Sequence, residues 1–316
     1  MDFYRDYFTR EQLLASVATA QFVPGILGQA GLFQTLGLTS TTLSLEALPY
    51  DAVAESAAIP RGGPPNPLLL EKRAVHTFPT STYAYQGSVL ADEVLNIRSA
   101  SGAAEVLATR RDALVAKLRR QADWQMEYLR VACLNNATNA FGTASATEIV
   151  AFGSSDTVAL NVSIHTKIVL ALEAALGGIP YTALDAYCSD TYWQALIQSK
   201  TMRETYLNTA AANQLRGLPL DSIDYGNVTW HRYRAGGNIK ITDGQAKIVP
   251  RGVPGLFIQA FAPNDTLSSV GAGAVGQPYY LDSYPLADDK GFRLTLQMHP
   301  VTVCTRPDAI ITVDLS

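Results

Sequence analysis

Apolar residues along this chain keep two different rhythms, and the change between them falls near Gly102. Ahead of it the pattern is extended or broken. Residues 9–20 form a short amphipathic start with Thr9 at the N-cap position, and a glycine-rich stretch follows. From Thr41 to Leu45, alternation sets Leu43 and Leu45 on one face with Glu46 on the other, which predicts a half-buried strand. Between Ile59 and Pro67 the run IPRGGPPNP holds four prolines and two glycines, which neither a helix nor a central strand accepts. The following LLLEKRAVHTFPTSTYAYQ has high β-propensity and no helical period, with Val75, Phe78, Tyr83 and Tyr85 as its apolar surface. A long, projecting β-hairpin is predicted here.

From Ala103 to about Asn135 there is neither glycine nor proline, and Leu107, Leu114, Leu118, Ala122, Met126, Leu129 and Cys133 return at helical spacing. This predicts one amphipathic helix, about 50 Å long at ~1.5 Å per residue. Its other face carries Arg110, Lys117, Arg120 and Glu127, while Arg119 and Asp123 are spaced i,i+4 for an ion pair of about 0.3 kcal/mol. Beyond it, Glu148–Phe152 and Val158–Ile164 read as strands around the turn GSSD. Lys167–Leu176 reads as a helix closed by Gly177 and Gly178, and Ala183–Ile197 and Thr201–Leu215 as two further helices. Val228–Arg234, Gly237–Thr242, Gln245–Pro250 and Leu256–Ala262 read as consecutive strands of a small antiparallel sheet, with turns at RAGG and TDGQ. Residues 263–291 read as a long loop, and Phe292–Met298, Val301–Thr305 and Ala309–Leu315 as closing strands. The order is α+β.

Composition adds one point. Charged residues make up 16% of the chain, against a usual ~25%, so burial between subunits is expected. With 24 basic and 28 acidic residues and a pI near 5.6, no field draws the whole molecule onto nucleic acid. Cys133, Cys188 and Cys304 are too scattered for a disulfide framework or a zinc site and read as reduced, mostly buried thiols. The start MDFYRDYFTR lacks the regions of a signal peptide, and the apolar stretch from Leu13 to Phe33 is broken too often for a membrane span.

Candidate chemistry is sparse. Gly271 to Gly276 matches G-x-G-x-x-G in form, but a dinucleotide site needs a strand before it and a helix after it, whereas turn-like residues precede this run and Pro278 follows. His76, His165, His231 and His299 have no metal-ligand spacing. There is no G-x-S-x-G elbow and no P-loop, and Asp288-Asp289 beside Lys290 reads as a solvated turn. The cations of the long helix suit a sequence-blind contact with DNA, set against a plain solvated face with acids interleaved at Asp112, Asp123 and Glu127.

Four short motifs remain: Leu32-Phe33, TSTTLSLE over Thr39–Glu46, the turn Arg61-Gly62-Gly63-Pro64, and the ending from Pro300 through Arg306-Pro307-Asp308 to Leu315. In this order, and over nearly the whole chain, they resemble the major capsid protein E family of lambda-like phages. Each motif is weak alone; their combination with an arm, a hairpin and a long helix carries the resemblance. It implies an α+β, Hong Kong 97-type capsid fold: residues 1–56 as N-terminal arm and first strand, 57–101 as extended loop, 102–165 as peripheral domain with the spine helix, 166–291 as axial domain, and 292–316 as a return to the peripheral sheet. It implies a major capsid protein, not an enzyme, that self-assembles into pentamers and hexamers of an icosahedral shell around double-stranded DNA. The expected partners are copies of itself, a portal, a scaffold or decoration protein and, non-specifically, the DNA; no cofactor, metal or membrane is expected. Its place would be the virion, after assembly in the host bacterial cytoplasm. Inter-subunit contacts are expected at Leu32, Phe33, Arg61, Leu68, Leu69, Leu70, Lys72, Arg73, Phe78, Tyr83 and Tyr85, in segments that would bury little in the monomer and add strands to neighbouring sheets. Some relatives crosslink a lysine to a neighbour's asparagine; Lys72 lies in the loop, but lambda-like members are not known for that reaction and none is assigned. The residues by themselves leave open a tail or decoration protein, or an enzyme with the long helix as a domain linker.

Overall fold

The computed structural model describes residues 13, 15–17, 25–47, 74–95, 103–135, 147–149, 168–199, 221–234, 236, 239–266 and 274–314. The first half of the chain supplies α1 (Ile26–Ala30), β1 (Gln34–Gly37), β2 (Thr42–Ala47), β3 (Ala74–Pro79), β4 (Tyr83–Leu90), α2 (Ala91–Leu95), α3 (Ala103–Asn135) and β5 (Thr147–Ile149). Next come α4 (Leu170–Leu176), β6 (Ala183–Cys188), α5 (Asp190–Gln198), β7 (Ser222–Tyr225), β8 (Val228–Arg232) and β9 (Gln245–Arg251). The chain closes with β10 (Phe257–Phe261), β11 (Tyr280–Pro285), β12 (Gly291–Met298), β13 (Pro300–Cys304) and β14 (Ile311–Asp314).

The long helix stands where the glycine- and proline-free run predicts it, over 33 residues. Leu107, Val115, Leu118, Ala122 and Met126 are buried with Val89, Leu281, Leu294, Leu296 and Met298 of the sheet ordered β11-β12-β4. Each buried Leu, Val or Met side chain among them contributes roughly 1.5–3 kcal/mol. Leu114 descends onto Gly87 of β4, where a Cβ would lie 2.6 Å from Leu114 Cδ1, so glycine lets helix and strand approach. Towards the C-terminal end the apolar side shifts: Val131 and Leu134 sink into the larger core, while Leu129 and Cys133 are only half-buried.

That larger core lies under a six-stranded sheet ordered β5-β14-β9-β6-β8-β7. Leu184, Ala186, Cys188, Val228, Trp230, Ile248, Ile311 and Val313 share a cluster with Leu172 and Leu176 of α4 and Tyr192, Trp193 and Leu196 of α5. Here the predicted helix Ala183–Ile197 is corrected: its first half is the central strand β6, parallel to β8 and antiparallel to β9. A strand covered on both faces loses its alternation, and Leu184 to Cys188 are all buried. Such a run cannot be told from a helix by period alone. Ser189 then caps α5, accepting from the Tyr192 amide at 3.3 Å. Strand β7 was not expected; it turns into β8 through Gly226 and Asn227, both left-handed at φ 65 and 62, as a type I′ hairpin turn demands.

Other pairings also differ from the expectation. Strands β9 and β10 occupy the predicted positions but are not neighbours, since β10 sits between β1 (parallel) and β13 in a separate sheet. Residues 239–242 are irregular, not a strand, and the expected loop 263–291 contains β11, paired with β12. Strand β14 ends in the six-stranded sheet between β5 and β9, not in the sheet of β12. The helix read at Lys167–Leu176 is seen as α4, closed by Gly177 in the left-handed conformation. The readings at Val158–Ile164 and Thr201–Leu215 lie outside the described residues.

The predicted hairpin exists with different legs. Strand β3 pairs antiparallel with β2, from Thr42↔Pro79 to Ala47↔Ala74, whereas β4 pairs with β12. The ribbon therefore takes one leg from the arm and encloses residues 48–73, which lie outside the described residues.

Candidate functional site

The ribbon β2–β3 is two-sided. Leu43 is buried and Leu45 and Phe78 partly so, against Ile258, Ala260 and Val303. The opposite face shows Thr42, Ser44, Thr77 and Pro79, with Val75 58% exposed. No other described strand pairs with either edge. Two strands alone are marginal in water, so the ribbon depends on its apolar base, and among the described strands its edges have no further neighbour.

Behind the ribbon, the arm is fastened to the long helix by Glu127, 2% exposed. Its carboxylate accepts from the amides of Leu27 (2.8 Å) and Gly28 (3.2 Å) in α1, and from the Tyr233 hydroxyl (2.9 Å) beyond β8. Arg130 lies 3.3 Å from the same carboxylate and donates to Gln259 of β10 at 3.1 and 2.8 Å. Burial and the adjacent carboxylate push the Tyr233 phenol far above its usual pKa. Gly25 is pressed against this acid: a Cβ there would lie 2.0 Å from Glu127 Cδ. One buried charge thus joins arm, helix, the β8 segment and β10.

A second junction sits one turn earlier. Asp123, also buried, accepts from the Tyr279 hydroxyl and lies 3.6 Å from Arg119 Nε, and the Arg119 guanidinium sits over the Tyr279 ring at 4.5 Å. Desolvation raises the Asp123 pKa, opposed by the Tyr279 hydrogen bond and the Arg119 charge. Asp123 and Glu127 are therefore not the solvated, interleaved acids expected from helical spacing. The arm and Tyr233 cover the side of the helix at Glu127, and Tyr279, ahead of β11, covers it at Asp123.

The expected contact residues divide. Phe33 is buried in the chain's own core, its ring 5.2 Å from that of Phe257, and Leu32 packs beside it. Tyr83 and Tyr85 occupy inward positions of β4 and pack on the cluster under α3. Phe78 packs under the ribbon. These positions bury more within the subunit than expected: strand alternation turns Phe78, Tyr83 and Tyr85 towards the body, and Leu32 and Phe33 pack on the core from the link between α1 and β1. Arg61, Leu68, Leu69, Leu70, Lys72 and Arg73 lie outside the described residues.

The remaining chemical candidates pack into the fold. Gly271 to Gly273 lie outside the described residues; Gly276 is buried, its amide donating to Leu38 O at 2.7 Å, and no helix opens from residues 274–279. Burial raises the thiol pKa values of Cys133 and Cys188, and that of Cys304 to about 12. Among the described residues no group of three or more His, Cys, Asp and Glu side chains comes together. Asp185, buried in β6, pairs with Arg251 Nε at 3.2 Å and lies 3.6 Å from His231 Nε2, a polar tie across three neighbouring strands.

His299 is buried between β12 and β13, with Nδ1 3.0 Å from Thr82 Oγ1 and Nε2 3.5 Å from Asn264 Oδ1. Desolvation lowers its pKa, opposed by Asp265. A histidine depressed on folding contributes stability above its unfolded pKa of ~6.5, and that contribution is lost as pH falls below it. The urea midpoint of the wild type should therefore fall more between pH 7 and 5.5 than that of His299→Gln; parallel curves would show that His299 does not govern this acid sensitivity.

An arm strand paired into the body, a ribbon leaving it, a long helix behind one sheet and a larger mixed sheet beyond define a subunit of the Hong Kong 97-type capsid fold. The model of the phage major capsid protein E family matches residues 9–315; the chain belongs to that family and is a major capsid protein. Among solved structures it is similar in fold to one described as a prophage capsid protein of E. coli CFT073, at 15% identity and TM-score 0.62, covering 97% of this chain and 99% of that one. The capsid of Ralstonia phage GP4 is similar at 14% identity and TM-score 0.53, covering 90% and 87%. The mature capsid of bacteriophage PhiM1 follows at 13% and 0.51, covering 90% and 85%. No curated protein matches the sequence at a significant level.

Proposed function

We propose that the chain assembles into pentamers and hexamers that close an icosahedral shell around packaged double-stranded DNA, and that its role is structural, not catalytic. The observation that carries this reading is the ribbon: two strands rooted on the body, to which no other described strand pairs, joined through residues 48–73. A ribbon of that kind gains stability by docking on, or adding a strand to, a neighbouring copy, in head-to-tail contacts that close into rings. Arg61, Leu68, Leu69, Leu70, Lys72 and Arg73 in the enclosed segment are the contact residues of this reading, with the portal and a scaffold or decoration protein as further partners. Assembly takes place in the host bacterial cytoplasm and the finished protein resides in the virion.

The test is negative-stain imaging of the full chain expressed alone. Closed shells, or rings of five and six subunits, are the expected result. A monodisperse small oligomer under all salt and concentration conditions would overturn the reading.

A further inference from the structure

One face of α3 is open from Arg110 to Tyr128. Arg110, Lys117 and Arg120 are exposed, and Trp124 and Tyr128, at 49% and 42% exposure, continue the same side of the helix. At ~100° per residue all five fall within an arc of roughly 100°. The acids that would interleave with them are engaged elsewhere. Asp112 pairs with Arg111 and accepts from Ser16, Asp123 holds Tyr279 and Arg119, and Glu127 holds the arm. Among the described residues none of the three exposed cations has an acidic partner, although the chain as a whole carries a net charge of −4.

We propose that this face of α3 binds the phosphate backbone of double-stranded DNA without reading its sequence. Duplex DNA carries one charge per ~1.7 Å of axis, so cations about 10 Å and 4.5 Å apart along a helix each find a phosphate without matched spacing. A protein partner would have to place acids in register with all three. Among the described residues these cations have no hydrogen-bonded orientation of their own, as suits a contact that positions no particular base. Trp124 and Tyr128 add flat, partly apolar surface beside the charged stripe. The inference rests on the capsid reading for the identity of the polyanion, but its test is independent of shell closure.

The test uses the unassembled full chain and a fluorescent 30-base-pair duplex of arbitrary sequence, titrated between 50 and 200 mM salt. The variant Arg110→Gln/Lys117→Gln/Arg120→Gln is compared with Lys240→Gln/Lys290→Gln/Arg293→Gln, which makes the same charge change at exposed positions elsewhere. The slope of log K against log salt should shrink by about 2 to 3 in the first variant, at ~0.9 per phosphate contact, and stay near wild type in the second. DNA should also quench tryptophan emission through Trp124, since Trp193 and Trp230 are buried, and Trp124→Leu should abolish the quenching. Equal slopes in the two variants, or loss of shells in the first with its DNA binding intact, would overturn the proposal; the latter would assign the face to a contact between copies. Absence of shells with the wild-type chain would instead overturn the capsid reading and leave the salt slopes to decide this one.

Discussion

Glu127→Ala is expected to cost about 3–5 kcal/mol, the range for removing one partner from a buried ion pair. The carboxylate receives the Leu27 and Gly28 amides and the Tyr233 hydroxyl and faces Arg130, so its loss strands three donors and a guanidinium where water has little access. The two amides belong to the first turn of α1, which has no intrahelical partner for them. Glu127→Gln keeps an acceptor but not the charge, and should cost roughly half as much. Urea unfolding followed by tryptophan fluorescence measures both. A loss under about 1 kcal/mol for the alanine variant would mean that the arm is held by its apolar contacts, Leu27 and Phe33, and not by this charge. Because the same carboxylate reaches three elements, the alanine variant should also release the arm, seen as proteolytic cleavage near residue 25 before global unfolding.

The second large effect concerns assembly. Replacing residues 48–73 by Asn-Gly should leave the subunit folded and abolish closed shells. Ala47 and Ala74 are already paired across the ribbon, so a two-residue type I′ turn joins them in register. The subunit core loses no described residue, and closing a shorter loop costs less entropy. The expected result is an unfolding midpoint close to wild type with at least a tenfold drop in closed particles by imaging. Normal shells from this variant would remove the ribbon tip from assembly. Deleting residues 60–90 instead would be a poorer test, because it excises β3 and β4 with Val89 and so breaks the ribbon and the sheet beneath α3.

Much of this architecture is legible in the sequence. The long helix was readable because 33 residues without glycine or proline, with apolar residues at helical spacing, satisfy helix geometry locally. Strands β2, β9, β10, β12 and β13 were readable in position because β-propensity and bounding turns are also local. Strand β6 was missed because burial on both faces erases its period, and β11 because its polar residues Asp282 and Ser283 resemble a loop. Strand β7 did leave a signal, the Gly226-Asn227 pair between two short β-prone runs.

The site itself divides along the same line. By itself the sequence determined an arm, a proline-rich excursion, one long helix and a family resemblance, since those rest on backbone sterics and on the order of short motifs. Only the tertiary structure decided that the ribbon borrows its first leg from the arm, and that β14 ends beside β9. It also decided that Glu127 and Asp123 are internal ties, leaving Arg110, Lys117 and Arg120 as an acid-free stripe. Strand pairing and charge burial are set by residues about 100 positions apart, such as Leu27 and Glu127, and no local period encodes which of two faces the rest of the chain will cover.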